Sequence, residues 1–139
     1  MVEGPRYVDV NVFVYWLGGH PSYGEVAREW VRRIEHVSRG FITSSLTIYE
    51  TIVVLAGLTG RSLRDTLFVK GIVRAFERLR GLKIEPLMSE DLARAAQLME
   101  EYELDYEDAL HLAVALRAGA SAVVSNDRDW DRTPLPRLF

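Results

Sequence analysis

The chain has 139 residues, no cysteine, 48% hydrophobic residues and a formal net charge of −3. That composition predicts one soluble domain over 1–139 whose core needs neither disulfides nor structural zinc. Thiolate nucleophiles, cysteine-held metals and redox exchange are excluded, and mild acidity argues against a protein that coats nucleic acid through bulk charge.

Among the 17 basic residues only Lys70 and Lys83 are lysines, so guanidinium chemistry dominates the positive side. The longest uninterrupted apolar stretch lies within Ile52–Leu58, far short of a membrane span. Met1–Pro5 lacks the basic-then-apolar pattern of a leader, which makes a cytoplasmic location the expectation.

Tyr7–Val10 reads as a short strand, followed by a helical segment over Val12–Leu17 that Gly18 and Gly19 end. Val26, Trp30, Val31, Ile34 and Val37 recur at three- and four-residue spacing and predict a helix from Ser22 to about Ser38. Phe41–Ser44 is a second strand, Ser45 opens an apolar helix to about Leu58, and Ser62–Leu79 is a further amphipathic helix. Leu82–Pro86 is the third strand, and Ser89, with Glu90 and Asp91 behind it, starts a helix to about Glu101. Asp105 is the expected N-cap of a helix to Arg117, Ala120–Ser125 a buried strand, and Arg137–Phe139 a last one. Short apolar strands alternating with long helices predict a three-layer α/β/α fold on a mainly parallel sheet, with its site outside the carboxyl ends of the strands.

Four carboxylates stand where apolar residues are expected. Asp9 is the only charge between Arg6 and Glu25, and Glu50 the only one between Arg39 and Arg61, within an otherwise apolar helix. Asp108 lies in the first turn of an apolar helix, and Asp127 follows the Ala120–Ser125 strand. Each has a plain structural role open to it: Asp9 as a helix cap, Asp108 as partner of Asp105 in a capping box, Asp127 as a turn former. Glu50 buried alone would cost several kcal/mol. Carboxylates gathered at one sheet edge repel one another unless a cation sits among them, and an all-oxygen set favours Mg²⁺ or Mn²⁺ over Zn²⁺. Such an ion activates water and neutralises a phosphoryl group. With no Gly-rich, Lys-bearing phosphate loop present, phosphodiester hydrolysis ranks above nucleotide triphosphate chemistry.

Four segments together resemble the PIN-domain family of metal-dependent nucleases, and within it the VapC-like toxin ribonucleases. They are Tyr7-Val8-Asp9-Val10-Asn11-Val12, the helix bearing Tyr49-Glu50, Leu104-Asp105-Tyr106-Glu107-Asp108-Ala109-Leu110-His111-Leu112-Ala113, and Val124-Ser125-Asn126-Asp127-Arg128-Asp129-Trp130. The resemblance implies a PIN-like fold and an endoribonuclease that uses metal-activated water, with Asp9, Glu50, Asp108 and Asp127 as catalytic, metal-binding acids. Within that set Asp9 and Asp127 are expected to hold the principal Mg²⁺ or Mn²⁺. It also implies that Asn11 braces Asp9, that Ser125 is a nearby hydrogen bonder, and that Asp129 and Asp105 are auxiliary acids. His111 is expected to be a packed or hydrogen-bonded helix residue rather than a general base, and His20 and His36 surface residues. Alanine at Asp9 is expected to abolish cleavage and, by relieving repulsion, to leave the metal-free fold intact or more stable.

Arg64, Lys70, Arg74 and Arg78 form either a solvated stripe or an RNA-backbone contact. Tyr15, Trp16, Tyr23 and Trp30 are either core, a dimer surface or a groove for an antitoxin peptide. The implied partners are an RNA substrate, a second copy as a homodimer, and a small antitoxin, with no membrane. The alternatives are an RNA-processing PIN nuclease without an antitoxin and a catalytically silent RNA-binding module.

Overall fold

The apolar runs of the sequence become strands two to four residues long, and all but the last lead into a helix. In a computed structural model that describes residues 4–139, the order is β1 (Arg6–Val8), α1 (Val10–Gly18), α2 (Gly24–His36), β2 (Phe41–Ser44), α3 (Ser45–Thr59), α4 (Thr66–Glu77), β3 (Leu82–Glu85), α5 (Ser89–Tyr102), α6 (Tyr106–Arg117), β4 (Ala122–Val124), a 3-10 helix (Arg128–Arg132) and β5 (Arg137–Leu138). The expectation about Met1–Pro5 rests partly on residues 1–3, which lie outside the described residues.

The strands form one sheet in the order β3-β2-β1-β4-β5, with every neighbouring pair parallel. Successive strand residues point to opposite faces. Tyr7, Ile42 and Val123 therefore pack with α5 and α6, while Val8, Phe41 and Val124 pack with α1, α2, α3 and α4. This is the expected α/β/α sandwich. On the second face Phe13 is fully buried with its ring centroid 4.6 Å from that of Phe76. No helix among the described residues is long and apolar enough to cross a membrane.

The element boundaries depart from the sequence expectations where a polar side chain captures a backbone N–H. The first strand stops at Val8 because Asp9 turns extended backbone into a helix cap: its Oδ1 accepts from Val10 N at 2.8 Å, starting α1 at Val10 rather than Val12. Ser62 does not open α4. Its hydroxyl accepts from Arg64 N in a turn, and Asp65 caps the helix by accepting from Phe68 N at 3.1 Å. β4 and β5 are shorter than expected, and the 3-10 helix after Asp127 was not expected. Gly60 ends α3 in the left-handed region at φ 68°, a conformation in which a side chain would be strained.

One ion pair anchors the helix that carries Asp108. Arg117, at the end of α6, donates Nε to Asp91 Oδ1 at 2.9 Å, and Nη2 to Asp91 Oδ2 at 3.0 Å and to Pro86 O at 2.7 Å. Asp91 is buried and also accepts from Met88 N at 2.8 Å, closing the first turn of α5. Burial pushes the Asp91 carboxyl up, but the Arg117 and Met88 donors outweigh it and hold the group below the usual carboxylate range.

Asp91→Asn is expected to destabilise the fold by about 3 kcal/mol at neutral pH, read by urea unfolding. A depressed folded value means this stabilisation is present above about pH 4 and is lost as pH falls through it. The gap between wild type and Asp91→Asn is therefore expected to narrow as pH falls below about 4 and on through the depressed folded value; a gap constant across the acid limb would remove the pair from the account.

Candidate metal centre

All strands run the same way, so the residues just beyond β1, β4 and β5 share one edge, and β1 beside β4 is the point where strand order reverses. Asp9 follows β1 there, and Ser125, Asn126 and Asp127 follow β4. Asp9 is buried and fully engaged. Besides capping α1, its Oδ2 accepts from Ser125 Oγ at 2.7 Å, Trp130 Nε1 at 3.0 Å and Asn11 Nδ2 at 3.3 Å. Asn11 also donates to Ser125 Oγ at 3.0 Å and accepts from Asn126 N at 3.2 Å. Asp127 N donates to Ser125 Oγ at 3.0 Å, and Asp127 Oδ1 caps the 3-10 helix by accepting from Asp129 N at 2.9 Å.

The remaining acids divide into two groups. Asp108, Asp127 and Asp129 each offer a carboxylate oxygen, all within 4.8 Å of one another; Glu50, Glu107 and His111 do the same. Asp9 belongs to neither triple, and Glu50 falls in the second rather than with Asp108 and Asp127. Asp9 accepts from four donors, and Glu50, on α3, is hydrogen-bonded to His111, on α6. Asp9 nevertheless bears on both groups, since its charge raises the proton affinity of Asp108, Asp127 and His111.

Burial, followed by the charges of Asp105, Asp127, Asp9 and Asp129, pushes Asp108 up to about 7. Burial and the neighbouring acids also raise Asp127, against the opposing Asp129 N–H. Carboxylates this mutually repelled fit a hard divalent cation, whose charge removes the repulsion, and the all-oxygen donor set suits Mg²⁺ or Mn²⁺. Asp105 stands outside the triple as N-cap of α6, accepting from Asp108 N at 2.8 Å.

The second group extends into the core. His111 is buried, with Nε2 2.5 Å from Glu50 Oε1 and Nδ1 2.6 Å from the hydroxyl of the fully buried Tyr7. Burial lowers the His111 proton affinity, but the Glu50 hydrogen bond and the surrounding acids overturn that and raise it. Burial likewise raises Glu50, yet hydrogen bonds from His111 and Glu107 bring it below its ordinary value. Sharing a hydrogen bond with Glu50 is the largest cause lifting Glu107 to about 7, with burial second. Sequence reasoning missed Glu107, Tyr7 and Trp130. Only Glu107 had a visible signal, standing beside Asp108 and four residues before His111, on one helix face.

Arg64, Lys70, Arg74 and Arg78 are exposed, the first in the turn before α4 and the last as its C-cap. His36 is exposed as expected, whereas His20 is half-buried, its Nδ1 accepting from Ser22 N and Tyr23 N at 3.0 Å each.

The model for the PIN domain matches residues 6–135. Among solved structures, the Mycobacterium tuberculosis toxin VapC20, described as cleaving the sarcin-ricin loop, superposes with a TM-score of 0.72 at 13% identity over 93% of this chain and 95% of that one. VapBC2 from Rickettsia felis, bound to a DNA fragment from its promoter, gives 0.68 at 16% identity over 96% of both chains. A toxin-antitoxin complex from Klebsiella pneumoniae gives 0.65 at 19% identity, again over 96% of both. At these identities the likeness is one of fold. No curated protein matches in sequence.

The contacts of Asp9 reverse the expectation for its removal: Asp9→Ala strands a buried Trp130 N–H and uncaps α1, so it is expected to destabilise. The relief of repulsion belongs to Asp108. A carboxyl raised to about 7 contributes stability below its unfolded value near 4 that is lost as pH rises through 7. In EDTA the thermal midpoint of the wild type is expected to fall relative to Asp108→Asn between about pH 4 and 7, and Mn²⁺ at about pH 8 to restore it. Parallel pH curves for the two proteins would contradict the raised Asp108 carboxyl.

Proposed function

The chain belongs to the PIN domain family, and from that premise we propose that residues 1–139 form one PIN-like domain acting as a metal-dependent endoribonuclease, the toxin of a toxin-antitoxin pair. The observation that carries the reading is the convergence of Asp108, Asp127 and Asp129 at the carboxyl edge of the sheet. A protein at home with three repelling carboxylates in one place is one that expects a cation there.

Asp9, Glu50, Asp108 and Asp127 are the catalytic acids of this reading, with Asp129 the additional ligand beside Asp108 and Asp127. When bound, Mg²⁺ or Mn²⁺ supplies water activation and neutralises charge building on the phosphoryl group. The chain's own residues set the stage for that. Asp9 locks the β1 and β4 ends together, so the backbone before Asp127 cannot shift when its carboxylate takes up a ligand. Ser125 and Asn11 hold the Asp9 carboxylate in one rotamer, as bracing groups around metal sites do. Glu50 is held by His111, and the raised proton affinity of Glu107 beside it eases the repulsion between the two glutamates. A cytoplasmic location, an RNA substrate, a homodimer and a small antitoxin partner belong to the same reading. The fold likeness to chains solved in toxin-antitoxin complexes supports it.

The test is cleavage of a pool of cellular RNAs by the purified protein with Mg²⁺ or Mn²⁺, against EDTA and Asp108→Asn. Cuts leaving 5′-phosphate and 3′-hydroxyl ends are expected, reduced roughly 100- to 10,000-fold by Asp108→Asn in a protein that remains folded. Cuts that persist in EDTA or in that variant would reject the reading. For the α4 stripe, Lys70→Glu with Arg74→Glu is expected to weaken RNA binding and flatten its salt dependence by about one to two units of slope; an unchanged slope would return the stripe to an ordinary solvated face.

A further inference from the structure

Beside the carboxylates, on the β5 side, lies a group of rings that the proposed chemistry does not use; Tyr15 and Phe139 rest on the core, while Tyr23 reaches the surface. Tyr15, on α1, has its ring centroid 4.8 Å from His20, 5.2 Å from Tyr23 and 6.0 Å from Phe139. His20 and Tyr23 stack at 5.0 Å with 30° between their planes, and Tyr23 lies 6.1 Å from Phe139. The group is built rather than incidental. His20 N donates to Tyr15 O at 3.0 Å, and the His20 Nδ1 accepts two backbone N–H groups. An Nδ1 that accepts leaves the ring proton on Nε2, a donor with no protein acceptor among the described residues.

Two observations tie the rings to the proposed site. Asn126, the residue before Asp127, donates Nδ2 to Tyr15 OH at 3.2 Å. The sheet register aligns Val8 with Val124 and Val124 with Leu138, so Phe139 stands level with Ser125 and Asp9, one strand spacing of about 4.8 Å beyond Ser125. Tyr23 is 40% exposed although one side of its ring is occupied by His20.

We infer that Tyr23, stacked on His20 and backed by Tyr15 and Phe139, is a stacking platform for an unpaired base of the RNA strand whose phosphate lies at the carboxylates. The inference rests on the ribonuclease reading and deepens it. An unpaired base suits the surface because it presents a π-face of ring size to the exposed Tyr23 ring. A phosphate does not suit it, for the rings carry no fixed cation. A protein partner needs roughly 800 Å² per side, far more than one exposed ring supported by three half-covered ones.

The experiment uses short single-stranded oligoribonucleotides carrying 2-aminopurine at successive positions, titrated onto the full chain with Ca²⁺ replacing Mg²⁺ or Mn²⁺. Stacking on an aromatic ring quenches 2-aminopurine, so quenching at a defined position is expected with wild type. Tyr23→Ala is expected to abolish that quenching and weaken binding about 5- to 100-fold, and Tyr23→Phe to restore both. Retained quenching and affinity in Tyr23→Ala, or no quenching at any position with wild type, overturns the platform. So does a Tyr23→Ala protein with unchanged RNA affinity but altered mass in solution, which assigns the rings to a protein contact. The two readings fail separately: position-specific quenching without cleavage in Mg²⁺ or Mn²⁺ keeps the platform and rejects the nuclease, while cleavage without quenching does the reverse.

Discussion

The Asp9 carboxylate is the constraint on which the rest of the edge depends. Four donors from two distant stretches of the sequence converge on its two oxygens: the α1 backbone and the Asn11 amide from one, the Ser125 hydroxyl and the Trp130 indole from the other. Without those donors a charge buried between two strands would be intolerable; with them it becomes a clamp that joins the start of α1 to everything after β4. The direction of α1, the path of the backbone through Asn126 and Asp127, and the turn that brings Asp129 round follow from one side chain.

Opposite the clamp, α6 organises the other half of the edge. Asp105 caps it, Asp108 faces the acids beyond β4, and Glu107 and His111 sit a turn apart facing Glu50. His111 connects that surface to the core through Tyr7, a strand residue with no exposure. Of the acids, Asp108 and Asp127 bear the unrelieved repulsion, whereas Glu50 is compensated by its two neighbours. The protein thus separates carboxylates that answer one another from carboxylates left to answer a cation.

The α/β/α architecture was legible in the sequence because strand and helix periods alternate cleanly, and Asp9 and Glu50 were conspicuous because each is the sole charge in a long apolar neighbourhood. For the aspartates a capping role and a site role do not exclude one another. Asp9 and Asp127 do cap helices, and Asp105 does cap the helix bearing Asp108, because the carboxyl edge of a parallel sheet is also where helices begin. What spacing could not convey was the division into two triples, since it depends on which of several acids within reach His111 selects through space. Trp130 was unreadable for a related reason. An indole in an apolar neighbourhood looks like core, and it is core, yet its one N–H is spent on Asp9.

The central strand of the sheet is made first, and its neighbour β4 lies more than a hundred residues later. A chain growing on the ribosome cannot close the Asp9 clamp until Ser125 and Trp130 exist, nor bring Asp108, Asp127 and Asp129 together before the last of them is added. Until nearly all of these 139 residues have been made, the chain holds scattered acids and no centre. For a protein proposed to cut RNA, that order of assembly leaves the growing chain without its carboxylate cluster for most of the time these residues are being made.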